Sequence, residues 1–180
     1  MEKKFGGLIP VYRRMVVKIG TNLLSGVSGK IETGFMDHIA RQIALLHQKG
    51  VEVLLVTSGA IGAGMNEMGL KERPRTLPDR QAMAAIGQSR LMHVYDEVFS
   101  EYNLRVAQVL LTESDLKDRH HYLNARNTLL RLLELKVVPI INENDTVAVD
   151  ELKIGDNDTL SARVAAKVGA DVLVLLTDVE

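Results

Sequence analysis

Short apolar segments rich in valine, leucine and isoleucine alternate with longer segments of helical periodicity along this chain. The segment Val51 to Val56, for example, is apolar apart from Glu52, as expected for a strand that is covered on both faces. Strands that alternate with helices predict an α/β fold with a mainly parallel central sheet. The predicted strands end in polar groups: Lys18-Ile19-Gly20-Thr21, Thr57-Ser58-Gly59, Thr112-Glu113, Asn142-Glu143-Asn144-Asp145 and Thr177-Asp178.

These polar strand ends predict a ligand site. In an open parallel sheet, ligands bind outside the carboxyl ends of the strands, so polar residues at several strand ends are expected to lie close together. They supply one lysine, several carboxylates and amides, and a glycine-rich turn, but no cysteine nucleophile and no obvious histidine base. Such a set suits phosphoryl transfer, which depends on positioning and charge neutralisation.

The composition excludes several classes of function. The net charge is -1 and aromatic residues make up 4% of the chain, so neither a basic surface nor a stacking platform for nucleic acid is expected. No apolar run approaches the roughly 20 residues of a membrane span. The chain has no cysteine, which is compatible with the reducing cytoplasm, where we expect the protein to reside.

Two clusters of acids and amides provide the strongest local signal. Asn142 to Asp145 follows an apolar strand, and Gly155 to Asp158 precedes a helix that ends at Gly169. Carboxylates accept hydrogen bonds from an ammonium group, whereas an asparagine amide can either donate or accept. Taken alone, each cluster could equally be an Asx-rich turn.

Lys18 and the glycine-rich turn each have two interpretations. Lys18 interrupts an apolar strand, either as a charge that protects an edge strand or as a cation that meets phosphate oxygens. Residues Thr57 to Gly64 could be a structural turn or a place where backbone N–H groups bind an anion. The glycine order is wrong for the dinucleotide fingerprint, and Gly29-Lys30 lacks the Ser or Thr of a P-loop.

Helical periodicity predicts the remaining elements. One helix ends at Lys49-Gly50, a long helix spans Asp79 to Ser100, and a third opens at Asn124 to Asn127. Asp118 to His121 is expected to be a solvated turn, Thr146 to Ile154 a short β excursion, and Asp156 or Asn157 the cap of the last helix. The apolar stripe of the long helix, which includes Leu91 and Val94, is expected to be core or a subunit interface, the latter in a twofold dimer.

Six motifs together carry a family resemblance. They are Val16-Val17-Lys18-Ile19-Gly20-Thr21, Val56-Thr57-Ser58-Gly59-Ala60-Ile61-Gly62-Ala63-Gly64, Gly87-Gln88-Ser89-Arg90-Leu91, Leu123-Asn124-Ala125-Arg126-Asn127-Thr128, Ile140-Ile141-Asn142-Glu143-Asn144-Asp145 and Gly155-Asp156-Asn157-Asp158-Thr159-Leu160-Ser161-Ala162. In order and spacing, from about Met15 to Asp178, the chain resembles the glutamate 5-kinases of the amino acid kinase family. The resemblance implies a three-layer αβα sandwich.

The resemblance also implies an activity, which is ATP-dependent phosphorylation of the side-chain carboxylate of L-glutamate with Mg, the first step towards proline. Proline is implied as a feedback inhibitor, and the expected assembly is a homo-oligomer, either a dimer or a tetramer. No nucleic acid or membrane partner is expected. The implied roles are catalysis for Lys18 and Asp158, glutamate binding for Ser58, Gly59, Asp145 and Asn157, nucleotide binding for Lys18, Thr177 and Asp178, and no metal ligand from the protein.

The expected domain organisation is an amino-terminal extension at residues 1–14 and a kinase domain at residues 15–180. In the family, the Thr-Asp pair precedes most nucleotide contacts and a second catalytic lysine, so residues 15–180 are expected to hold mainly the glutamate side of the site. Two alternatives stay open. One is a catalytically incomplete module that binds glutamate or proline or mediates oligomerisation, and the other is a different amino acid kinase, such as acetylglutamate kinase.

Overall fold

A computed structural model of the chain describes residues 12–25, 30–148 and 157–178. The strands are β1 (Arg14–Ile19), β2 (Glu52–Val56), β3 (Arg105–Leu111), β4 (Val137–Glu143) and β5 (Val172–Leu176). The helices are α1 (Thr21–Ser25), α2 (Thr33–Gln48), α3 (Ala60–Glu67), α4 (Leu77–Ser100), α5 (Glu113–Lys117), α6 (Arg119–Glu134) and α7 (Asn157–Val168). In this part of the chain, every helix is too short or too polar to cross a membrane.

The strands form one sheet in the order β3-β4-β2-β1-β5, and every pairing among them is parallel. Their carboxyl ends therefore lie at one edge. Strand β1 lies between β2 and β5, and Lys18 is in register with Val56 on one side and Leu175 on the other. The interpretation of Lys18 as an edge-strand charge is thus wrong, because its strand is paired on both sides.

Helices cover both faces of the sheet, because successive strand residues point to opposite sides. On one face, Val17, Val53 and Leu55 pack in a core with residues of helices α2 and α4. On the other face, Val16 and Leu54 pack in a second core with residues of α5, α6 and α7. The predicted α/β fold with a parallel sheet between two helical layers is confirmed.

The apolar stripe of helix α4 belongs to the core of the chain itself. Leu91 is 1% exposed and Val94 is 4% exposed, and both pack in the same cluster as Val17 and Leu55. A charged substitution at either position would therefore disrupt the fold rather than a contact between subunits. The homo-oligomer stays a prediction, but these two side chains cannot form its interface.

Helices α3 and α4 cross with their backbones almost in contact. A Cβ atom built on Gly87 would lie 1.8 Å from the carbonyl oxygen of Ala60, and one built on Gly64 would lie 2.0 Å from that of Met83. Neither distance leaves room for a methyl group, so both positions require glycine. The crossing fixes α4 against the first turns of α3, which begins directly after Gly59 and includes the second half of the glycine-rich segment.

Two local predictions about helix α6 need correction. Helix α6 begins at Arg119, so Asp118 to His121 is not a solvated turn. Asp118 is instead the N-cap, and its carboxylate accepts hydrogen bonds from the backbone N–H groups of His120 and His121 at 2.9 Å each. Asn124 therefore lies inside α6 and does not open it.

The predicted β excursion is a turn at residues 145–147, and its remainder, from residue 149 to 154, lies outside the described residues. Helix α7 starts at Asn157 itself, which is thus its first residue and not its cap. Asp156 lies outside the described residues. The predicted ends of α2 and α7 are confirmed, since Gly50 and Gly169 adopt positive φ angles of 78° and 66° just after these helices.

Candidate functional site

An ion pair between a buried lysine and a partly exposed aspartate lies at the carboxyl edge of the sheet. The Nζ atom of Lys18 is 2.6 Å from Oδ1 of Asp158, and the side chains are 7% and 43% exposed respectively. Lys18 points to the same face of the sheet as Val16, which is the face that helix α7 covers. Asp158 lies in the first turn of α7, so the pair connects a central strand to a helix start and holds the ammonium group at a fixed place.

Asn157, the residue before Asp158, forms the second part of the site. Its Nδ2 atom lies 2.6 Å from the carbonyl oxygen of Thr57, 2.7 Å from Oγ of Ser58 and 3.1 Å from Oδ1 of Asn142. These partners come from the ends of strands β2 and β4. The structure therefore brings together Ser58 and Asn157, two residues expected to bind the same substrate.

Helix geometry explains how the consecutive residues Asn157 and Asp158 contribute to two different parts of the site, the amide cluster and the ion pair. Side chains that are adjacent in sequence leave an α-helix about 100° apart. At the start of α7, Asn157 reaches the loop after β2, whereas Asp158 reaches Lys18 on β1. One helix start thus places a cation and a group of amides side by side.

Gly59 sits between strand β2 and helix α3 with a φ angle of 89°, in the left-handed region. The atoms nearest to a Cβ built on it would be at 3.8 Å, so the backbone angle rather than crowding calls for glycine. Helix α3 begins at Ala60 and has no side-chain cap. Its first N–H groups therefore remain available to an anionic group at the sheet edge.

Asp178 follows the end of strand β5. Nδ2 of Asn22 donates a hydrogen bond of 2.7 Å to its carboxylate. This bond, assisted by the hydroxyl of Thr177 and by the charge of Lys18, lowers the pKa of Asp178 below its ordinary value. The two residues of the Thr-Asp pair thus lie beside Lys18, at the far side of the site from Ser58.

Asp145 lies further along the same edge, in the turn after strand β4. It lines a cleft of about 270 Å³ together with Gln88, Ser89, Glu143 and Asn144. The hydrogen-bonded amide of Asn142 connects this cleft to Asn157, because Asn142 also bonds to Gln88. The residues that are predicted to bind glutamate therefore lie along the same edge of the sheet, with Asp145 after strand β4 and Ser58 after the neighbouring strand β2.

Sequence reasoning missed the buried partners of these residues. The side chain of Asn142 is 2% exposed and that of Gln88 is 8% exposed. Asn142 belongs to a predicted polar strand end but received no role of its own, and Gln88 received none. The signal was the periodicity of helix α4, where Gln88 is the one amide side chain among the buried residues Ala84, Gly87, Gln88, Leu91, Val94, Tyr95, Val98 and Phe99. A glutamine at an apolar position indicates a specific partner.

The described residues define a class of protein, a parallel α/β sandwich that gathers a buried lysine, carboxylates and amides at one edge of its sheet. The model of the amino acid kinase family matches residues 13–180. The chain belongs to this family.

Several curated relatives are similar to nearly the whole chain. The glutamate 5-kinase of Moorella thermoacetica is 59% identical over 166 residues, which are 92% of this chain and 44% of that protein. That of Geobacter sp. (strain M21) is 53% identical over 173 residues, 96% of this chain and 46% of that protein. The glutamate 5-kinase of Clostridium acetobutylicum is 50% identical, with 93% of this chain and 62% of that protein covered. The chain thus spans about half the length of the curated relatives it matches.

Proposed function

We propose that the chain carries the glutamate-binding portion of a glutamate 5-kinase, which transfers a phosphoryl group from ATP to the side-chain carboxylate of L-glutamate. The observation that carries this proposal is the start of helix α7. There Asn157 is hydrogen-bonded to Ser58, and the next residue, Asp158, holds Lys18. Groups for an amino-acid ligand and a cation for a phosphoryl group are therefore adjacent.

The glutamate site has groups for both ends of an amino acid. The carboxylate of Asp145 and the amide oxygen of Asn157 accept hydrogen bonds from the α-ammonium group. The hydroxyl of Ser58 and the N–H groups that follow Gly59 donate to a carboxylate. The similarity to glutamate 5-kinases supports glutamate as the amino acid.

Lys18 and Asp158 perform the catalytic part of the proposal. Lys18 neutralises charge on the phosphoryl group as it moves, and Asp158 keeps the ammonium group in position for this task. The attacking carboxylate of glutamate is ionised at neutral pH, so the protein needs no general base. ATP supplies the phosphoryl group, and Thr177 and Asp178 contribute to its site beside Lys18.

Mg is proposed as an ion that ATP brings with it. Within residues 12–25, 30–148 and 157–178, no three histidine, aspartate or glutamate side chains gather into a metal cage. Phosphate oxygens and water would then provide its ligands, which is usual for magnesium at kinase sites. No residue of this part of the chain is assigned as a metal ligand.

Proline is proposed as an inhibitor on chemical grounds. It carries the same carboxylate and ammonium groups as glutamate, so it can use Ser58, Asp145 and Asn157 in competition. The homo-oligomer, the cytoplasmic location and the domain limits at residues 1–14 and 15–180 stay predictions.

Titration calorimetry with the 180-residue chain tests the glutamate site. Asp145→Ala and Asn157→Ala are each expected to weaken glutamate binding by about 1–3 kcal/mol, because each removes a charge-assisted or neutral hydrogen bond. Asp96→Ala, at an exposed position of helix α4, is the matched control. Undiminished affinity in both site variants would overturn the assignment, and tighter binding of N-acetylglutamate than of glutamate would indicate an acetylglutamate kinase site instead.

A further inference from the structure

Three amide side chains form a directed series at the floor of the site. Nδ2 of Asn157 donates to Oδ1 of Asn142, and Nδ2 of Asn142 donates to Oε1 of Gln88 at 2.8 Å. The bonds run in one direction, from the first residue of helix α7, through the end of strand β4, to the middle of helix α4. Both Asn142 and Gln88 are buried.

Backbone groups fix the direction of this series. Oδ1 of Asn142 also accepts a hydrogen bond of 2.9 Å from the N–H of Glu143, so this side of the amide must be the oxygen. Nδ2 of Asn157 faces the carbonyl oxygen of Thr57, which can only accept. Neither asparagine can reverse its amide without placing two donors or two acceptors against each other.

Gln88 is the last residue of the series, and its Oε1 atom is the acceptor that the buried NH₂ group of Asn142 requires. If its amide were reversed, its NH₂ group would face the NH₂ group of Asn142 inside the protein, and a buried donor would lose its bond. Nε2 of Gln88 itself has no acceptor among the residues that the structure describes. Gln88 thus accepts the hydrogen bond of Asn142 through Oε1, although its own Nε2 atom is buried without an acceptor in the described part of the chain.

The helix crossing explains why Gln88 cannot move away. The preceding residue, Gly87, touches the backbone of Ala60 at the start of α3. The same stretch of chain includes Ser58, to which Asn157 is bonded. The contact between Gly87 and Ala60 therefore holds Gln88 and Ser58, which flank it in sequence, at a fixed separation.

We propose that Gln88 is a positioning residue that holds the Asn142–Asn157 amide pair in the orientation that the backbone groups select, so that the amide oxygen of Asn157 stays in place to accept a hydrogen bond from the ammonium group of the ligand. The identity of that ligand rests on the proposed function, but the orienting role does not. Gln88 acts through Asn142 and does not itself contact the ammonium group. The consequence is selectivity for an amino acid over the dicarboxylate that lacks the amine.

Calorimetry with L-glutamate and with glutarate tests this selectivity in the 180-residue chain. Gln88→Met removes the acceptor at similar size, and it is expected to weaken glutamate binding roughly tenfold while changing glutarate binding by less than about threefold. Gln88→Glu keeps an acceptor oxygen and is expected to recover most of the discrimination between the two ligands. Gln42→Met, on the exposed face of helix α2, is the matched control. Equal losses for both ligands would mean a merely structural role and would overturn the proposal.

Side-chain NMR gives a readout that needs no ligand. In Gln88→Met, the NH₂ protons of Asn142 and Asn157 are expected to exchange with solvent roughly tenfold faster than in the unsubstituted chain, whereas Gln42→Met leaves them unchanged. Unchanged exchange in Gln88→Met would overturn the orienting role even if glutamate binds. Faster exchange in a chain that binds no glutamate would retain that role and refute the proposed function instead.

Discussion

Lys18 and Asp158 form an ion pair whose two members differ in exposure, with the lysine 7% exposed and the aspartate 43% exposed. Water can therefore solvate the carboxylate if the lysine is removed. It cannot solvate the ammonium group equally well if the aspartate is removed. The pair is neither a surface salt bridge nor a fully buried one.

This asymmetry predicts unequal costs for the two substitutions. Asp158→Asn is expected to lower the free energy of unfolding by about 1–3 kcal/mol, between the values typical of exposed and buried pairs, because it leaves a buried cation without its carboxylate. Lys18→Met is expected to cost less, since the stem of the side chain stays apolar. Urea unfolding of both variants measures the difference, and a larger loss for Lys18→Met would contradict the account.

The strands could be predicted from sequence because a parallel strand that is buried on both faces must be apolar, and its end must change to polar residues at the site. The strand predicted at Val51 to Val56, for example, is observed as Glu52–Val56. The role of Lys18 could not be decided locally. It depends on strand β5 and on Asp158, which are brought next to β1 from more than a hundred residues away.

Capping signals were the weaker part of the prediction. Asp118 is an ordinary N-cap, but the two histidines that follow it gave no apolar periodicity, so the start of helix α6 was missed. Within the site, the pairing of Ser58 with Asn157 follows from their common sheet edge. The part played by Gln88 required the crossing of α3 and α4, which only the packing of glycines in three dimensions determines.

The glycine crossing makes a second prediction. Gly87→Ala would place a methyl group 1.8 Å from the carbonyl oxygen of Ala60, a backbone atom that cannot rotate away. We expect the substitution to lower the free energy of unfolding by about 1–3 kcal/mol, the usual range for overpacking. Chemical denaturation monitored by circular dichroism measures this loss.

Gly34→Ala is the matched control for that prediction. Gly34 also lies in a helix, but no atom lies within 4 Å of a Cβ built on it. Alanine there is expected to leave stability unchanged or to raise it by up to about 1 kcal/mol, through helix propensity and a less flexible unfolded chain. Similar losses in both variants would show that crowding at the crossing is not the cause.

A third prediction concerns acid. Oδ2 of Asp171 accepts hydrogen bonds from the backbone N–H groups of Arg14 at 2.8 Å and Arg13 at 2.7 Å. These bonds, the one from Arg14 first, hold the pKa of Asp171 below its ordinary value of 3.8. The resulting stabilisation is present above that value and is lost as the pH falls through the lower pKa of the folded state.

Asp171→Asn removes this titration while keeping an oxygen that can accept. Between about pH 5 and about pH 2, the urea midpoint of the variant is expected to fall less steeply than that of the unsubstituted chain. At neutral pH the variant is expected to be the less stable of the two, because its hydrogen bonds have lost the assistance of a charge. Two curves that stay parallel over the whole range would show that Asp171 does not contribute to acid stability.

A fourth prediction concerns alkali and the hydroxyl pair formed by Tyr95 and Thr57, whose oxygens lie 2.9 Å apart in the buried core. Burial raises the pKa of Tyr95 above its ordinary value of 10.0, although the bond to Thr57 partly opposes this shift. Because the folded pKa is raised, the stabilisation is complete below pH 10 and declines above it, by about 1.4 kcal/mol per pH unit for one proton.

Tyr95→Phe loses the hydroxyl bond and is expected to be about 0.5–1.5 kcal/mol less stable at neutral pH. Its urea midpoint should decline less above pH 10, so that the two curves converge, whereas a constant difference across the alkaline range would mean that Tyr95 ionises as readily in the folded chain as in the unfolded one.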